Sequence, residues 1–233
     1  MNLILKQRQN ESSRPWRVLA GAVLVFLAAS LHSASAQRLD AGGLTFRDFG
    51  IADNGASYSR GSTTSADGAA TQSAARLLGI DNANGSARVR FEAIKVEIAL
   101  PLGWQAFEDW ERGTAFSDDR KYRVIVWRVD FAFEGVQDAE HYAATKAGAI
   151  KARRPGVQSD VRKLPDSTFL IAYSNVADDN RTQGERRSVY DLVMPKPNGP
   201  KSGVLLTLGV PQADGERGLK LLSLLRDKIS ITW

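Results

Sequence analysis

The stretch Phe91–Trp104, FEAIKVEIALPLGW, constrains the fold more than any other part of the 233-residue chain. Branched apolar residues occupy every second position in its centre and alternate with lysine, glutamate and alanine, which is typical of a strand with one buried face. Pro101 fixes its own φ angle and Gly103 permits a reversal, so a β-turn is predicted there. Trp104 follows, and we expect it to close a hydrophobic core. The folded domain is therefore predicted to comprise residues 89–233.

The first 36 residues are predicted to be a cleaved secretory signal peptide. A basic leader precedes the apolar run from Val18 to Leu31, which is shorter than the ~20 apolar residues that a membrane-spanning helix needs. Small residues at Ala34 and Ala36 satisfy a signal peptidase, so we expect cleavage after Ala36 and a periplasmic or secreted protein without a stable membrane anchor. An uncleaved anchor is the alternative. The chain has no cysteine, which excludes disulfides and a lipid-modified N-terminal cysteine.

The apparent basicity of the chain belongs mostly to this leader. The full sequence has 31 Lys+Arg and 26 Asp+Glu. Residues 1–36 contain four of the basic residues and one acidic residue, which leaves 27 − 25 = +2 for the remainder. So small a charge gives no electrostatic basis for nucleic-acid binding, and none is predicted.

Residues 37–88 are predicted to be a low-complexity, flexible linker. The segment is rich in glycine, serine and alanine and has few of the branched and aromatic residues that offset the loss of chain entropy. Two stretches differ from this pattern. Leu44–Phe49 is expected to form a short strand or a docking segment, and Thr71–Ile80 a brief helix. We expect both to pack locally on the domain in preference to binding a partner, although the sequence leaves open whether Phe46 and Phe49 dock.

The order of elements after Trp104 indicates an α+β fold. A long strand is predicted over Lys121–Phe133, with a mostly apolar face that includes Trp127. A helix capped by Asp138 follows, and a second helix capped by Asp214 has a broad leucine face. Short polar connections between the remaining strands favour an antiparallel sheet covered by the helices. These strands are predicted at Val157–Leu164, Thr168–Asn175, Arg187–Met194 and Ser202–Val210, with Ile231–Trp233 as a terminal tail.

The turn motif carries a resemblance to a known family. Ile98–Trp104 resembles the opening of the PsbP/Mog1/DcrB-like family of small α+β domains, in which a strand leads into Leu-Pro, a glycine and a tryptophan. The end of the chain is also similar, because the strand at Leu205–Leu208 leads through a proline-containing turn into a helix with Leu222 and Leu225. The resemblance covers Phe91–Ile229. It implies a PsbP/Mog1-like α/β/α sandwich, a bacterial exported member of the family, and an accessory or binding role with no catalytic residues to transfer.

Few residues indicate catalysis or metal binding. His141 is the only histidine after removal of the leader, which excludes a site built from several histidines, and no Gly-x-Ser-x-Gly motif is present to partner it. We expect His141 to be a surface residue, with a general base as the alternative. Acidic clusters occur at Glu108–Asp109, Asp118–Asp119 and Asp178–Asp179, but none fits a calcium loop, and solvated turns are predicted. No catalytic residue, metal site or cofactor is therefore predicted.

Six basic and aromatic residues lie close together in the sequence but are predicted to point to different faces of a strand. The alternation of side chains along a strand places the members of this group on both faces, so they do not form one stacking platform. Ordinary strand exteriors are expected, with an anionic-ligand site as the alternative. The group consists of Arg120, Lys121, Tyr122, Arg123, Trp127 and Arg128.

These observations give three hypotheses of function. The first is an exported, non-enzymatic accessory or protein-interaction module of the bacterial cell envelope, with an envelope protein as partner and binding residues that the sequence does not identify. The second is a small-ligand or metal-binding periplasmic accessory protein with a concave site lined by Asp118, Asp119 and Arg128. The third is a hydrolase that uses His141.

Overall fold

The structure, a computed structural model, describes residues 39–51, 73–177 and 185–233. The predicted signal peptide, the middle of the predicted linker and the acidic loop at Asp178–Asp179 lie outside the described residues. Within the described ranges, no helix combines the length and apolar character needed to cross a membrane.

The described residues form twelve strands, two α-helices and two short 3-10 helices at Phe46–Phe49 and Gln212–Asp214. Short connections join most of them, as the sequence predicted. In chain order they are β1 (Ser73–Ala74), β2 (Arg76–Asp81), β3 (Ser86–Phe91), β4 (Val96–Pro101), β5 (Gln105–Glu108), β6 (Arg112–Phe116), β7 (Arg123–Asp130), α1 (Ala139–Arg153), β8 (Gln158–Lys163), β9 (Phe169–Ala177), β10 (Arg186–Lys196), β11 (Gly199–Pro211), α2 (Gly215–Asp227) and β12 (Ile229–Ile231).

The strands build two antiparallel sheets. The main sheet has eight strands in the order β1-β5-β6-β7-β11-β10-β9-β8, and the small sheet has four in the order β12-β4-β3-β2. The chain passes from one sheet to the other at Ala75, whose N–H donates to the carbonyl of Ala106 at 3.0 Å. The predicted α+β class is confirmed, and the division into two sheets is an addition that the sequence did not predict.

One face of the main sheet is covered by α1. Phe131, Ile171 and Leu205 point toward this helix and are fully buried against its small residues Ala143 and Ala147. Small side chains let the helix approach the sheet closely. The helix begins where predicted, because Asp138 accepts a hydrogen bond at 2.9 Å from the backbone N–H of His141 and so satisfies a free donor of the first turn.

The opposite face of the main sheet is covered by α2 and the small sheet. Leu221, Leu222 and Leu225 are fully buried there, in the same core as Phe91 of β3. The leucine face predicted for the C-terminal helix is therefore confirmed. Strand β7 lies between both cores. Val124 and Val126 are fully buried on one face, whereas Ile125 and Trp127, at the centre of the predicted apolar face, are only partly buried.

Much of the predicted linker belongs to the fold. Residues 39–51 and 73–88 are described, and Phe46 and Phe49 are buried in the core that contains α2. Trp104 Nε1 donates to the carbonyl of Phe49 at 2.9 Å, and the N–H of Ile51 donates to the carbonyl of Leu102 at 3.1 Å. The docking alternative for Leu44–Phe49 is confirmed. The assignment of these residues to a linker was wrong because two buried aromatic rings outweigh a polar composition.

Two further elements differ from the sequence prediction. The stretch Thr71–Ile80 was expected to contain a helix, but from Ser73 onward it forms β1 and β2, because the edges of β5 and β3 offer hydrogen-bonding partners. The strand predicted within Phe91–Trp104 begins at Val96, so Ile94, expected on its apolar face, lies before it. A turn at residues 92–95 separates β3 from β4, with Lys95 at a φ of 54°.

The C-terminus is part of the small sheet. Ile229, expected to end the helical region, opens β12, and this strand pairs with β4 in the register Ile229–Ile98. The edge strand thus takes up the end of the predicted helical region and only the first residue, Ile231, of the predicted terminal tail. Pairing with an already buried strand explains why three residues suffice.

Candidate functional site

The structure places the predicted catalytic candidate on the surface. The side chain of His141 is exposed on the first turn of α1. Among the described residues, no group of three or more histidine, aspartate or glutamate side chains is arranged to hold a metal ion. His141 thus lies where a surface residue was expected.

The residues predicted to line a ligand site are not brought together. Asp118 and Asp119 line a cavity of about 520 Å³ near Arg217, whereas Arg128 lines a different groove. Asp119 accepts hydrogen bonds from Ser117 Oγ at 2.7 Å and from the N–H of Lys121 at 3.1 Å. Burial raises the pKa of Asp119, but these donors outweigh burial and hold the pKa below its usual value. Asp119 therefore serves to order its own turn.

A groove with exposed aromatic walls lies beside β7. It has a volume of about 610 Å³ and is formed by the turn between β5 and β6, by β7, and by the loop that follows β7. Two of its aromatic side chains face solvent, with 77% of Trp110 and 89% of Phe133 exposed. We call this surface the aromatic groove and define it by Ile94, Trp110, Arg112, Trp127, Arg128 and Phe133.

The turn that carries Trp110 is built by an aspartate. Asp109 Oδ1 accepts from the N–H groups of Glu111 and Arg112, both at 2.9 Å, and Oδ2 accepts from Arg112 Nε at 2.9 Å. Partial burial raises the pKa of Asp109, yet the hydrogen bonds prevail and the pKa lies below its usual value. An ionised aspartate in this geometry is a side-chain-stabilised turn. It fixes the backbone on both sides of Trp110 and points the indole outward.

The loop that carries Phe133 is built in the same way. Asp130 Oδ1 accepts from the N–H groups of Ala132 at 2.9 Å and Phe133 at 3.2 Å. Gly135 then adopts a φ of 73°, which returns the chain toward α1. In both loops a glutamate follows the exposed ring directly, Glu111 after Trp110 and Glu134 after Phe133.

Cations and carbonyl groups order the floor of the aromatic groove. Arg128 Nε donates to the carbonyl of Ile94 at 2.8 Å, and its guanidinium lies 5.5 Å from the ring centroid of Trp233. Lys146 Nζ lies 5.3 Å from the ring centroid of Trp127 and 2.9 Å from the buried Asp191. Each of these indole rings therefore has a cation against it, Lys146 at Trp127 and Arg128 at Trp233. The groove thus combines side chains held by these contacts with two projecting aromatic side chains.

Sequence reasoning identified only part of this site. Arg128 and Trp127 were singled out as members of a scattered basic group, and Phe133 was assigned to the apolar face of a strand. The strand ends at Asp130, so Phe133 projects from a loop. Trp110 was not identified as a site residue. A tryptophan in the polar sequence Glu108–Arg112 is nevertheless a signal of an exposed aromatic side chain.

Comparison with solved structures finds similar folds. A point mutant of the protein Mog1 matches with a TM-score of 0.48 and 10% identity over 63% of this chain and 95% of that one. The Ran-binding protein Mog1p of Saccharomyces cerevisiae matches with a TM-score of 0.47, 10% identity and the same coverage. PsbP of Synechocystis sp. PCC 6803 gives a TM-score of 0.46 and 11% identity, over 66% of this chain and 95% of that one.

The sequence itself matches no family model and no curated protein. The structures found are of Mog1 and PsbP, the proteins to which the sequence resemblance pointed, and the predicted α+β class is confirmed by the described elements. At 10–11% identity the likeness describes the fold alone.

Proposed function

We propose that this protein is a non-enzymatic accessory protein of the bacterial cell envelope that binds a protein partner in the aromatic groove. The observation that carries the proposal is the exposure of Trp110 (77%) and Phe133 (89%), which both line one groove. An aromatic side chain buries roughly 150–250 Å² when covered, so two of them on one surface offer a large gain on binding. Tryptophan is also among the residues most enriched at the energetic centres of protein interfaces.

The charges at the groove specify the chemistry of the partner. Arg112 is engaged by Asp109 at 2.9 Å, and Arg128 is engaged by the carbonyl of Ile94. Glu111 and Glu134 stand exposed beside the two projecting rings. An apolar side chain next to lysine or arginine complements this arrangement, because the apolar group covers the rings and the cation meets the glutamates. The occupant we propose is such a segment of a partner protein.

The cellular location rests on the predicted signal peptide. The basic leader, the apolar run Val18–Leu31 and the small residues at Ala34 and Ala36 support export and cleavage. Determination of the N-terminal residue of the protein recovered from the periplasm tests this. A mature chain that begins at Gln37 is expected, and a protein that stays in the cytoplasmic fraction with residues 1–36 intact would contradict it.

Site-specific photocrosslinking in living cells tests the groove. A photoreactive amino acid placed at Trp110 or Phe133 is expected to yield the same crosslinked envelope protein from both positions. Val161, which is 39% exposed on β8 at the far edge of the main sheet, is the matched control and should yield no such product. Identical products from position 161 and position 110 would show nonspecific crosslinking over the surface and contradict a groove-specific partner.

Binding measurements with the captured protein then test the chemistry. Trp110→Ala is expected to weaken binding about 30-fold, which corresponds to roughly 2 kcal/mol for a central interface aromatic. Glu111→Lys and Glu134→Lys should weaken binding mainly at low salt, because these rim charges are screened by ions. Glu111→Gln is the size-matched control, with a smaller effect expected. Unchanged affinity in the Trp110→Ala variant would place the partner elsewhere on the protein.

A further inference from the structure

The exposed edge of β2 is unusually apolar. Within the described residues, β2 is the last strand of the small sheet, and β3 is its neighbour on the inner side. Leu77 is 39% exposed and Ile80 is 48% exposed. Natural proteins commonly protect edge strands with lysine, proline or shortness, because the free backbone groups of an edge pair readily with another strand. Strand β2 has six residues and contains neither lysine nor proline.

A bulge places the two exposed apolar side chains on one face. The register pairs Leu77 with Val89 and Gly79 with Arg88, so Leu78 is an extra residue. Since Ile80 then pairs with Ala87, Leu77 and Ile80 both follow the face of β3 that carries Ala87 and Val89. This explains how residues three positions apart share a face, which simple alternation forbids.

The same register places the charged ends of β2 on the other face. Arg76 pairs with Arg90 and Asp81 pairs with Ser86, and these two positions of β3 share the face opposite to Val89. Arg76 is exposed and contacts Glu92 at 3.1 Å. Asp81 accepts from Asn84 Nδ2 at 2.6 Å, and this bond leads the contacts that lower its pKa. The strand thus has a cation at one end and an ionised carboxylate at the other.

The sequence of β2 is complementary to itself in the antiparallel direction. A two-fold axis between Leu78 and Gly79 brings Arg76 opposite Asp81 of the partner subunit and Leu77 opposite Ile80 of the partner subunit. Opposite charges meet on one face and apolar side chains meet on the other, twice each by symmetry. We propose that a second copy of this chain pairs through β2 and joins the two small sheets into one continuous antiparallel sheet.

The other long edge of the molecule lacks these features. Strand β8 ends the main sheet and presents Asp160, Arg162 and Lys163. Asp160 and Arg162 already form an ion pair within the strand, and Lys163 Nζ lies 3.5 Å from Glu140. Charged side chains of this kind protect an edge from pairing. Strand β8 therefore supplies the control positions for a test of β2.

Sedimentation equilibrium over a range of micromolar concentrations tests the proposal. A six-residue strand pair is a small interface, below the ~1,000 Å² of a stable complex, so a weak, concentration-dependent dimer is expected. The variants Arg76→Asp and Asp81→Arg each place like charges opposite each other, and each should raise the dimer dissociation constant at least tenfold. A 1:1 mixture of the two variants restores both ion pairs, and a heterodimer with near-original affinity is expected.

The mixture separates association from folding defects. A variant that had merely lost stability would not recover on mixing with the other, whereas an edge-to-edge pair would. Asp160→Arg on β8 is the matched charge reversal and should leave the dissociation constant unchanged. Leu77→Lys is expected to abolish the dimer by placing a charge in its apolar face. A protein that stays monomeric at all concentrations, or a mixture that associates no better than either variant, would overturn the proposal.

Discussion

Trp104 and Trp110 stand at the two ends of β5, six residues apart, in opposite environments. Trp104 is 2% exposed, its Nε1 donates to the carbonyl of Phe49, and its ring centroid lies 6.3 Å from that of Tyr122. Trp110 is 77% exposed in the turn built by Asp109. The same residue type thus stabilises the core at one end of a strand and faces the solvent at the other.

The difference shows which contacts decide the role of a tryptophan. The N-terminal segment crosses over Trp104 and supplies both an apolar cover, Phe49, and a hydrogen-bond acceptor for the indole. The turn at Asp109 instead satisfies its own backbone donors, so it holds its shape without help from the indole of Trp110. A ring that its own chain does not need for folding is free to contact a partner.

Replacement of Trp104 tests the buried end and has the largest expected effect. Trp104→Ala should lower the free energy of unfolding by about 3–5 kcal/mol, because it removes a fully packed ring and opens a cavity. Urea denaturation followed by circular dichroism measures this. Trp104→Phe keeps most of the apolar volume and loses the bond to Phe49, so a smaller loss is expected. A loss below 1 kcal/mol in the alanine variant would mean that the N-terminal segment does not cover this site.

The β5–β6 hairpin, whose turn carries Trp110, packs closely against Phe91 at Gly113. A Cβ atom added there would lie 2.3 Å from the ring of Phe91. Gly113→Ala should therefore force the hairpin away from the small sheet and cost about 1–3 kcal/mol by overpacking. Gly148→Ala on α1 is the control, since a Cβ there meets no atom within 4 Å and alanine favours a helix. Equal stabilities of the two variants would contradict this close approach.

The stability at alkaline pH tests the environment of Tyr122, whose ring packs against Trp104 at the buried end of β5. Burial, and then the hydrogen bond to Asp214 at 3.0 Å, raise the pKa of Tyr122 to about 12. An unfolded tyrosine ionises near pH 10, so the folded state retains the proton longer. The stabilisation is complete below about pH 10 and is lost as the pH rises through about 12. Burial raises the pKa of Tyr142, Tyr173 and Tyr190 in the same direction.

Thermal unfolding at about pH 9 and about pH 11 measures this dependence. The midpoint should fall across this interval, and the fall should be smaller in Tyr122→Phe. At neutral pH the same variant loses one hydrogen bond, worth about 1 kcal/mol. An identical alkaline decrease in both proteins would assign the titration to the other tyrosines.

Replacement of the exposed rings has the smallest expected effect on stability. Trp110→Ala and Phe133→Ala should each change the free energy of unfolding by no more than about 0.5 kcal/mol, as for surface positions in general. The same denaturation experiment measures this beside Trp104→Ala. A loss above 2 kcal/mol in either variant would mean that the ring supports the fold, and the comparison between the two ends of β5 would fail.

Local patterns predicted the elements whose contacts are near in sequence. The cap at Asp138, the leucine face of α2 and the alternation in β4 all depend on neighbouring residues, and each appears as predicted. Strands β1, β2 and β12 were missed because their stability comes from distant partners. The backbone N–H of Ala75 donates a hydrogen bond to the carbonyl of Ala106, and Ile229 pairs with Ile98. Neither segment therefore needs a strong alternation of apolar and polar residues to form a strand.

The candidate site was harder to predict than the fold. The acidic turns at Asp109 and Asp119 were recognised as turns, which is the role the structure gives them. What the sequence did not reveal is that the loops at Trp110 and Phe133 meet beside β7, since their approach depends on the pairing of β6 with β7. The exposure of Trp110 and Phe133 likewise depends on how the folded elements pack around them. Aromatic rings in polar turns are the signal that would have identified the site.

Because β12 lies about 130 residues after β4 in the sequence, the small sheet is completed late in folding. Strand β4 is made early, yet one of its edges receives a partner only when residues 229–231 have been synthesised. Arg128 likewise reaches the carbonyl of Thr232, near the end of the sequence. A chain that emerges N-terminus first therefore keeps this edge of β4 open until residues 229–231 arrive. Strand β12 therefore joins the small sheet only after β2, β3 and β4 have been made.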